Sequence, residues 1–408
     1  MRASLISMFP ERSGLRRRTL LGAVTGGIAG AAAPGINRAR AETMLDPRED
    51  LVIATVGHDH VGNAIRDGAL LAIEQLNAAG GVLGHKLRLH VETAEFQPKP
   101  EPGQAPLREQ ALIRARAINV AERVMDQRGL IAVIGHESVD DALPAAIAYL
   151  SRGIPFIAPT ITTTGLTLHG LGNLFATLPD NAEISAQTAR LAFDIGLRRV
   201  VIVRDRSADA LEISLAYGNE AAVLGMPVVE ERSFPKGTSP RDFLAGLQGL
   251  RFDHLLIIGP DDLQVELVKF ASAFGLNVTC VLPTMTNVDS MREQIGRVIP
   301  RVLLPVLRAR DAPTPAQAAW DRAYTARFGV HPVDFAMQGT DAVGLLAEGL
   351  ARVGSLDLAE LRRVLHGELA YTGVGGRVSF RRNGRIYTRL LVFASIRANE
   401  IAYYIPGA

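Results

Sequence analysis

Two histidines flank an aspartate in the stretch Gly57-His58-Asp59-His60-Val61-Gly62-Asn63, which follows the apolar run LVIATV. Imidazole and carboxylate groups this close are the donors that a zinc ion accepts. His58 and His60, with Asp59 or Glu137 completing the set, would make a metal-dependent hydrolase. The same residues could instead line a pocket that only binds, or stand on an exposed loop. Two residues at i and i+2 of an extended segment point to opposite faces, which weighs against paired ligation unless a loop intervenes. Elsewhere the chain holds no G-x-x-x-x-G-K-[ST], no G-x-G-x-x-G after a strand, no G-x-S-x-G, no C-x-x-C and no H-E-x-x-H. Phosphate-cradling loops and serine-hydrolase elbows therefore have no support, and no cofactor is expected. The single cysteine, Cys280, lies in the apolar run VTCVLP and reads as a core thiol, so the fold holds without an intrachain disulfide.

The histidine loop is one of a series. Short apolar runs at 51–56, 87–93, 131–135, 155–158, 199–205, 227–234, 254–259 and 278–283 read as strands. Between them lie helix patterns near 64–78, 110–127, 140–151, 183–195, 210–224, 240–249, 262–274 and 287–296. In the first of these Ile65, Ala69, Ala72 and Leu76 share one face, and Gly80-Gly81 supplies a stop. Such alternation predicts parallel sheets covered by helices on both faces, and open sheets of this kind hold ligands at the carboxyl ends of their strands. The loops at those ends are GHDHVGN, GHESVDD (135–141), APTITTTG (158–165), RDRSADA (204–210), GPDDLQ (259–264) and LPTMTN (282–287). Each also has a purely local reading. Asn63 would N-cap the first helix, Ser138 with Asp141 would form a capping pair, and Asp261 and Asp262 would favour a helix N-terminus.

At 408 residues the chain predicts two domains, and 48% hydrophobic with 21% charged residues is a globular composition. Its formal charge of +2 hides an asymmetry, because residues 1–41 hold seven arginines against one acid, Glu11. The remainder carries 37 Lys and Arg against 41 Asp and Glu, without a basic stripe, so nucleic acid is not an expected partner. RRRTLLGAVTGGIAGAAA followed by Ala39-Arg40-Ala41 has the charged, apolar and small-residue regions of an export signal over 1–41. Arg17-Arg18-Thr19-Leu20-Leu21 resembles the twin-arginine pattern, which implies a periplasmic protein not embedded in the membrane once the signal is removed. Four prolines in FQPKPEPGQAP predict an exposed extended loop at 96–110.

Several stretches, in this order and spacing, resemble the type I periplasmic solute-binding proteins, in particular the branched-chain amino-acid-binding class that feeds ABC importers. They are DGALLAIEQLNAAGGVLGHKLRLHVET, GLIAVIGHESVDDALPAAIAYLSRGIPFIAPTITTTGLT, FPKGTSPRDFLAGLQGLRFDHLLIIGPDDLQVELVKFASAFGL and YTGVGGRVSFRRNG. The resemblance implies an α/β fold of two doubly wound parallel-sheet lobes joined by a three-crossover hinge, a Venus flytrap. It divides the chain into 46–178 with 302–375 and 179–301 with 376–408, with crossings near 176–180, 300–306 and 375–390. It further implies a small-molecule ligand, permease and ATPase subunits of an ABC importer as partners, and no catalysis. A sensor of the same fold acting on a partner protein is the alternative. The family's carboxylate anchors fall on Ser138 or Val139 and on Ile161, Thr162 and Thr163. Its second-lobe aromatic is matched by Asp209, its amino-group acid by Thr284 or Met285, and its YDA tyrosine by Thr340. Two family cysteines are matched by Glu95 and Ser138. The first loop is about five residues shorter than the family's and offers His58, Asp59 and His60 instead. With Glu137 and Asp261, these positions make the candidate ligand set: His58, Asp59, His60, Glu137, Ser138, Val139, Ile161, Thr162, Thr163, Asp209, Asp261 and Thr284. The resemblance implies an amino acid or a related small carboxylate or amide as ligand, and the departures widen this to another small carboxylate, an amide or a more apolar organic molecule.

Overall fold

The computed structural model describes residues 49–93, 106–234, 239–247, 249–367, 369–387 and 389–405. The expected export signal and residues 96–105 of the proline-rich stretch lie outside the described residues. Five parallel strands form the first sheet in the order β2-β1-β3-β4-β5. They are β1 (Leu51–Gly57), β2 (Leu87–Thr93), β3 (Leu130–Gly135), β4 (Phe156–Ala158) and β5 (Leu174–Ala176). The first six residues of β1 are buried, as a central strand covered on both faces requires. Helices α1 (His60–Ala78), α2 (Pro106–Met125) and α3 (Val139–Ser151) alternate with the strands. One face of the sheet packs Ile53, Ile65 and Ala69 with Leu346 and Leu361 from late in the chain. The other packs Val56 and Val133 with Val124 and Tyr149.

The second lobe repeats the plan. Helix α4 (Asn181–Asp194) leads into β6 (Val200–Arg204), α5 (Ala208–Val223), β7 (Val228–Ser233), α6 (Pro240–Ala245) and β8 (His254–Ile258). Then come α7 (Asp261–Ala273), β9 (Thr279–Val281), α8 (Val288–Ile295) and β10 (Arg301–Val306). Helices α9 (Pro315–Phe328), α10 (Phe335–Val353) and α11 (Leu358–Leu365) return to the first lobe's side of the chain, followed by the hairpin β11 (Tyr371–Gly373) and β12 (Gly376–Val378). Strands β13 (Val392–Arg397) and β14 (Glu400–Tyr404) close the second sheet, whose order is β14-β13-β10-β9-β8-β6-β7. This sheet is mixed rather than wholly parallel, because β13 runs antiparallel to both β10 and β14. The two strands turn through Ala398 and Asn399, at φ of 51° and 70°, the two left-handed positions of a tight hairpin.

Two lobe boundaries differ from the sequence division. Residues 302–306 belong to the second sheet, since β10 pairs with β9 and β13, and the second crossing follows Val306. Pro305 resembles a strand breaker, but it lies beyond the segment Arg301–Leu303 that pairs with β9, so that neighbour loses no donor. Residues 376–386 stay with the first lobe. Val378, Phe380 and Ile386 pack in its core, and Arg385 bridges to Ala176 at the end of β5. The third crossing therefore follows Ile386. Strands β5 and β10 also escaped the sequence reading, β5 because three residues are too few to show periodicity.

Candidate functional site

The loops at the carboxyl ends of the strands enclose a cavity of about 260 Å³. Asp59, His60, Glu137, Thr160, Thr162 and Phe335 line it from the first lobe. Asn181, Ile184, Asp261 and residues 283–287 line it from the second. A larger hollow of about 640 Å³ lies outside the cleft against α2 and α3, and Val139 lines that one. Only the first lobe bounds it, so hinge closure cannot enclose a ligand there, and we take the interlobe cavity as the site.

Helix α1 starts at His60, not near Asn63. Asp59 is its N-cap, with Oδ1 accepting from the backbone N–H of Val61 at 2.7 Å and of Gly62 at 3.1 Å. Asp59 adopts the extended conformation that a cap requires and takes the role assigned to Asn63. The loop is tightly folded. A Cβ on Gly62 would stand 2.8 Å from Gly57 Cα and 2.1 Å from Glu137 Oε1, so glycine alone lets the two backbones meet beneath that carboxylate.

Glu137 joins this loop across the sheet. Its Oε1 accepts from the His58 backbone N–H at 3.2 Å, and its Oε2 lies 3.1 Å from His58 Nδ1. Burial raises the Glu137 carboxyl above the ordinary carboxylate range, the Asp59 charge adds to this, and His58 opposes it. His58, Asp59 and Glu137 each bring a ligand atom within 4.8 Å of the others, whereas His60 is not in this trio. The neighbouring His136 takes no part. It is buried at φ 51°, with Nε2 3.0 Å from the Tyr149 hydroxyl, and burial pushes its pKa down to about 3.

On the second lobe, Gln264 holds Thr284 in place. Its Nε2 donates to Thr284 Oγ1 at 2.8 Å and to the Gly259 carbonyl at 2.7 Å, which leaves the threonine hydrogen free to point into the cavity. Asp261 Oδ2 accepts from Thr286 Oγ1 at 2.5 Å. The α4 N-terminus, capped by Asp180 on Glu183, brings Asn181 and Ile184 to the same space.

Asp59, His60, Glu137, Thr162, Asp261 and Thr284 are thus brought together, with His58 beside them. Five other candidates do not line the cavity. Ser138 caps α3 through Asp141, Val139 faces the outer hollow, and Ile161 is 4% exposed in the core. Thr163 Oγ1 donates to Asp209 Oδ1 at 3.0 Å, and next to it the Thr164 N–H donates to Glu212 Oε1 at 3.0 Å. These two bonds tie the first lobe to α5 of the second, so Thr163 and Asp209 act as an interlobe latch. Thr340 is also in the interior, bonded to the Gly68 carbonyl and to Trp320 Nε1. Thr286 and Asn287 lie in the loop already marked by LPTMTN. Phe335 carried no signal, because its helix reaches the cleft from far along the chain.

A sequence-family model described as periplasmic binding protein matches residues 110–400. An amino acid binding protein of Pseudomonas aeruginosa is 33% identical over 131 residues, 31% of each chain. The alignment thus spans less than a third of that curated relative. The leucine-, isoleucine-, valine-, threonine-, and alanine-binding protein of the same organism is 23% identical over 318 residues, 77% of this chain and 80% of its own. Among solved structures, an ABC transporter substrate-binding protein from Desulfitobacterium hafniense in complex with Leu shares the fold. Its TM-score is 0.72 at 23% identity, covering 87% of this chain and 100% of that one.

Proposed function

This chain belongs to the periplasmic binding protein family, and on that premise we propose that it is an exported, non-catalytic receptor that captures a small organic solute between its lobes and delivers it to an ABC importer. The observation that carries this reading is the cavity walled by strand-end loops of both lobes. A ligand touching both walls favours the closed arrangement by as much as it binds that arrangement better than the open one. The importer's permease would read the closed form. An amino acid, or a related carboxylate or amide, is the solute class that fits the relatives.

The test is a thermal-shift panel of amino acids, carboxylates, amides, amines and sugars on the purified protein. A true ligand at a hundred times its Kd adds about 2.7 kcal/mol of stability and raises Tm progressively with concentration. A panel that leaves Tm unchanged throughout counts against the receptor reading. We read Arg17-Arg18-Thr19-Leu20-Leu21 as a twin-arginine export signal to the periplasm. Cell fractionation of the Arg17→Lys, Arg18→Lys double variant should find it retained in the cytoplasm, and unchanged export would remove that reading. No helix among the described residues is long and apolar enough to cross a membrane.

A further inference from the structure

Two threonines on the second-lobe wall are held in opposite hydrogen-bonding senses by the helix behind them. Thr284 and Thr286 lie in the loop after β9, and both line the cavity. Two residues of α7, Gln264 and Asp261, hold them. Gln264 donates to Thr284, whereas Thr286 donates to Asp261. A hydroxyl has one proton and two lone pairs. Thr284 already accepts from the amide, so it keeps its proton for the cavity. Thr286 has spent its proton on Asp261, so it offers the cavity only lone pairs. One short loop thus presents a donor and an acceptor.

Gln264 is fully buried, and its amide is not free to turn over. The same Nε2 donates to the Gly259 carbonyl, and the opposite orientation would set Oε1 against that carbonyl, acceptor against acceptor. The amide keeps this orientation although its Oε1 has no partner. The wall also limits the charge it can receive. Its donor at Thr284 is a neutral hydroxyl backed by a neutral amide. No lysine or arginine is among the described lining residues, and the one basic side chain there, His60, belongs to the first lobe. Arg206, in the loop after β6, is exposed and outside the lining. A solute carboxylate on Thr284 would lose water without gaining a cationic partner on that wall, which is unfavourable. An uncharged carbonyl oxygen takes the same proton at far smaller cost.

We propose that the solute is a carboxamide, bound with its carbonyl oxygen on Thr284 and its N–H on Thr286. This rests on the receptor reading of the same cleft and narrows it. Carbonyl oxygen and N–H sit on neighbouring atoms of one planar group, so a single amide can meet both threonines. A carboxylate lacks the donor, and a protonated amine lacks the acceptor. The apolar remainder of the solute lies against Val61, Ile184, Met285 and Phe335. Gln264 is a positioning residue, since it is not among the described lining residues and acts through the Thr284 proton.

Titration calorimetry on the purified protein tests this with two matched sets. The first is 4-methylpentanamide, its methyl ketone isostere 5-methylhexan-2-one, 4-methylpentanoate, 4-methylpentylamine and leucine. The second is 3-phenylpropanamide, 4-phenylbutan-2-one, 3-phenylpropanoate, 3-phenylpropylamine and phenylalanine. At least one amide should bind, with each counterpart in its set weaker by about tenfold or more. Thr284→Val should weaken amide and ketone alike. Thr286→Val should weaken the amide alone and so erase its advantage over the ketone. Gln264→Leu frees the Thr284 hydroxyl to turn, and should narrow the preference for amide over amine, with circular dichroism reporting an intact fold. A carboxylate, amine or amino acid binding as tightly as its matched amide would overturn the carboxamide inference and leave the receptor reading standing. So would threonine variants that leave the amide's affinity and its advantage over the ketone unchanged. The same holds if both amides fail while a solute of another class raises Tm. If no solute of any class binds, both readings fall.

Discussion

Arg385→Met is expected to lower the unfolding free energy by about 3 kcal/mol and to loosen the loop that carries Thr162. Arg385 is 1% exposed and sits where three parts of the chain meet. Its Nη1 donates to the carbonyls of Ile161 at 2.9 Å and Leu178 at 3.3 Å, and its Nη2 to that of Thr163 at 2.8 Å. Ile161 and Thr163 flank a cavity-lining residue, and Leu178 lies in the first crossing between lobes. Burial lowers the Arg385 pKa, and the charges of Asp180, Glu212 and Glu183 work against that effect. Methionine fills much the same volume, so the loss is not mainly a cavity. It comes from carbonyl oxygens left buried without donors, each costing on the order of 1–3 kcal/mol. Arg385→Lys separates charge from geometry, since one ammonium cannot serve acceptors spread around a planar guanidinium. Urea unfolding gives the stability change, and hydrogen exchange over residues 161–168 reports the loosening. Wild-type values for both in Arg385→Met would dismiss the anchoring role.

Asp341→Ala is expected to cost about 2–3 kcal/mol at neutral pH. Asp341 is 4% exposed, and its two carboxylate oxygens accept separately from the N–H groups of Val374 and Gly375, each at 2.7 Å. Arg389, buried beside it at the third crossing, donates to the Gly375 carbonyl. Its own backbone carbonyl accepts from Gln187 on α4, so the network reaches into the second lobe. Alanine leaves two N–H groups without their acceptor and removes the negative charge that favours the buried Arg389 cation. Burial pushes the Asp341 carboxyl up to about 6 from its ordinary 3.8, against the opposing pull of the two N–H groups and Arg389. The folded state therefore binds this proton more tightly than the unfolded chain between about pH 4 and 6. The stability it contributes is greatest below that window and declines as pH rises through it. The gap between wild type and Asp341→Ala should narrow from pH 4 to pH 7 in chemical denaturation. A gap that widens would show that the carboxylate, not the acid, is the stabilised form.

Local rules made most of the fold legible. Val/Ile/Leu runs marked strands buried on both faces, and Ile65, Ala69 and Ala72 marked the inner face of α1. The loops at the strand ends were legible too, because parallel sheets put them at one edge. The roles of single residues within those loops were harder to read. Ser138 and Asp209 looked like ligand groups, yet one caps a helix and the other ties the lobes together. A hydroxyl or carboxylate has the same sequence signature in either role, and only the position of its partner decides between them.

For GHDHVGN the division is sharp. The sequence alone determined that a polar loop with two glycines ends the first strand, since apolar periodicity and backbone freedom are local properties. Tertiary structure decided that Asp59 caps α1, that His58 turns to Glu137 and that Gly57 and Gly62 meet beneath it. It also decided that β10 stays in the second sheet and that residues 376–386 stay in the first lobe. Those outcomes depend on contacts between residues far apart in the chain, and no window of neighbouring residues contains both partners.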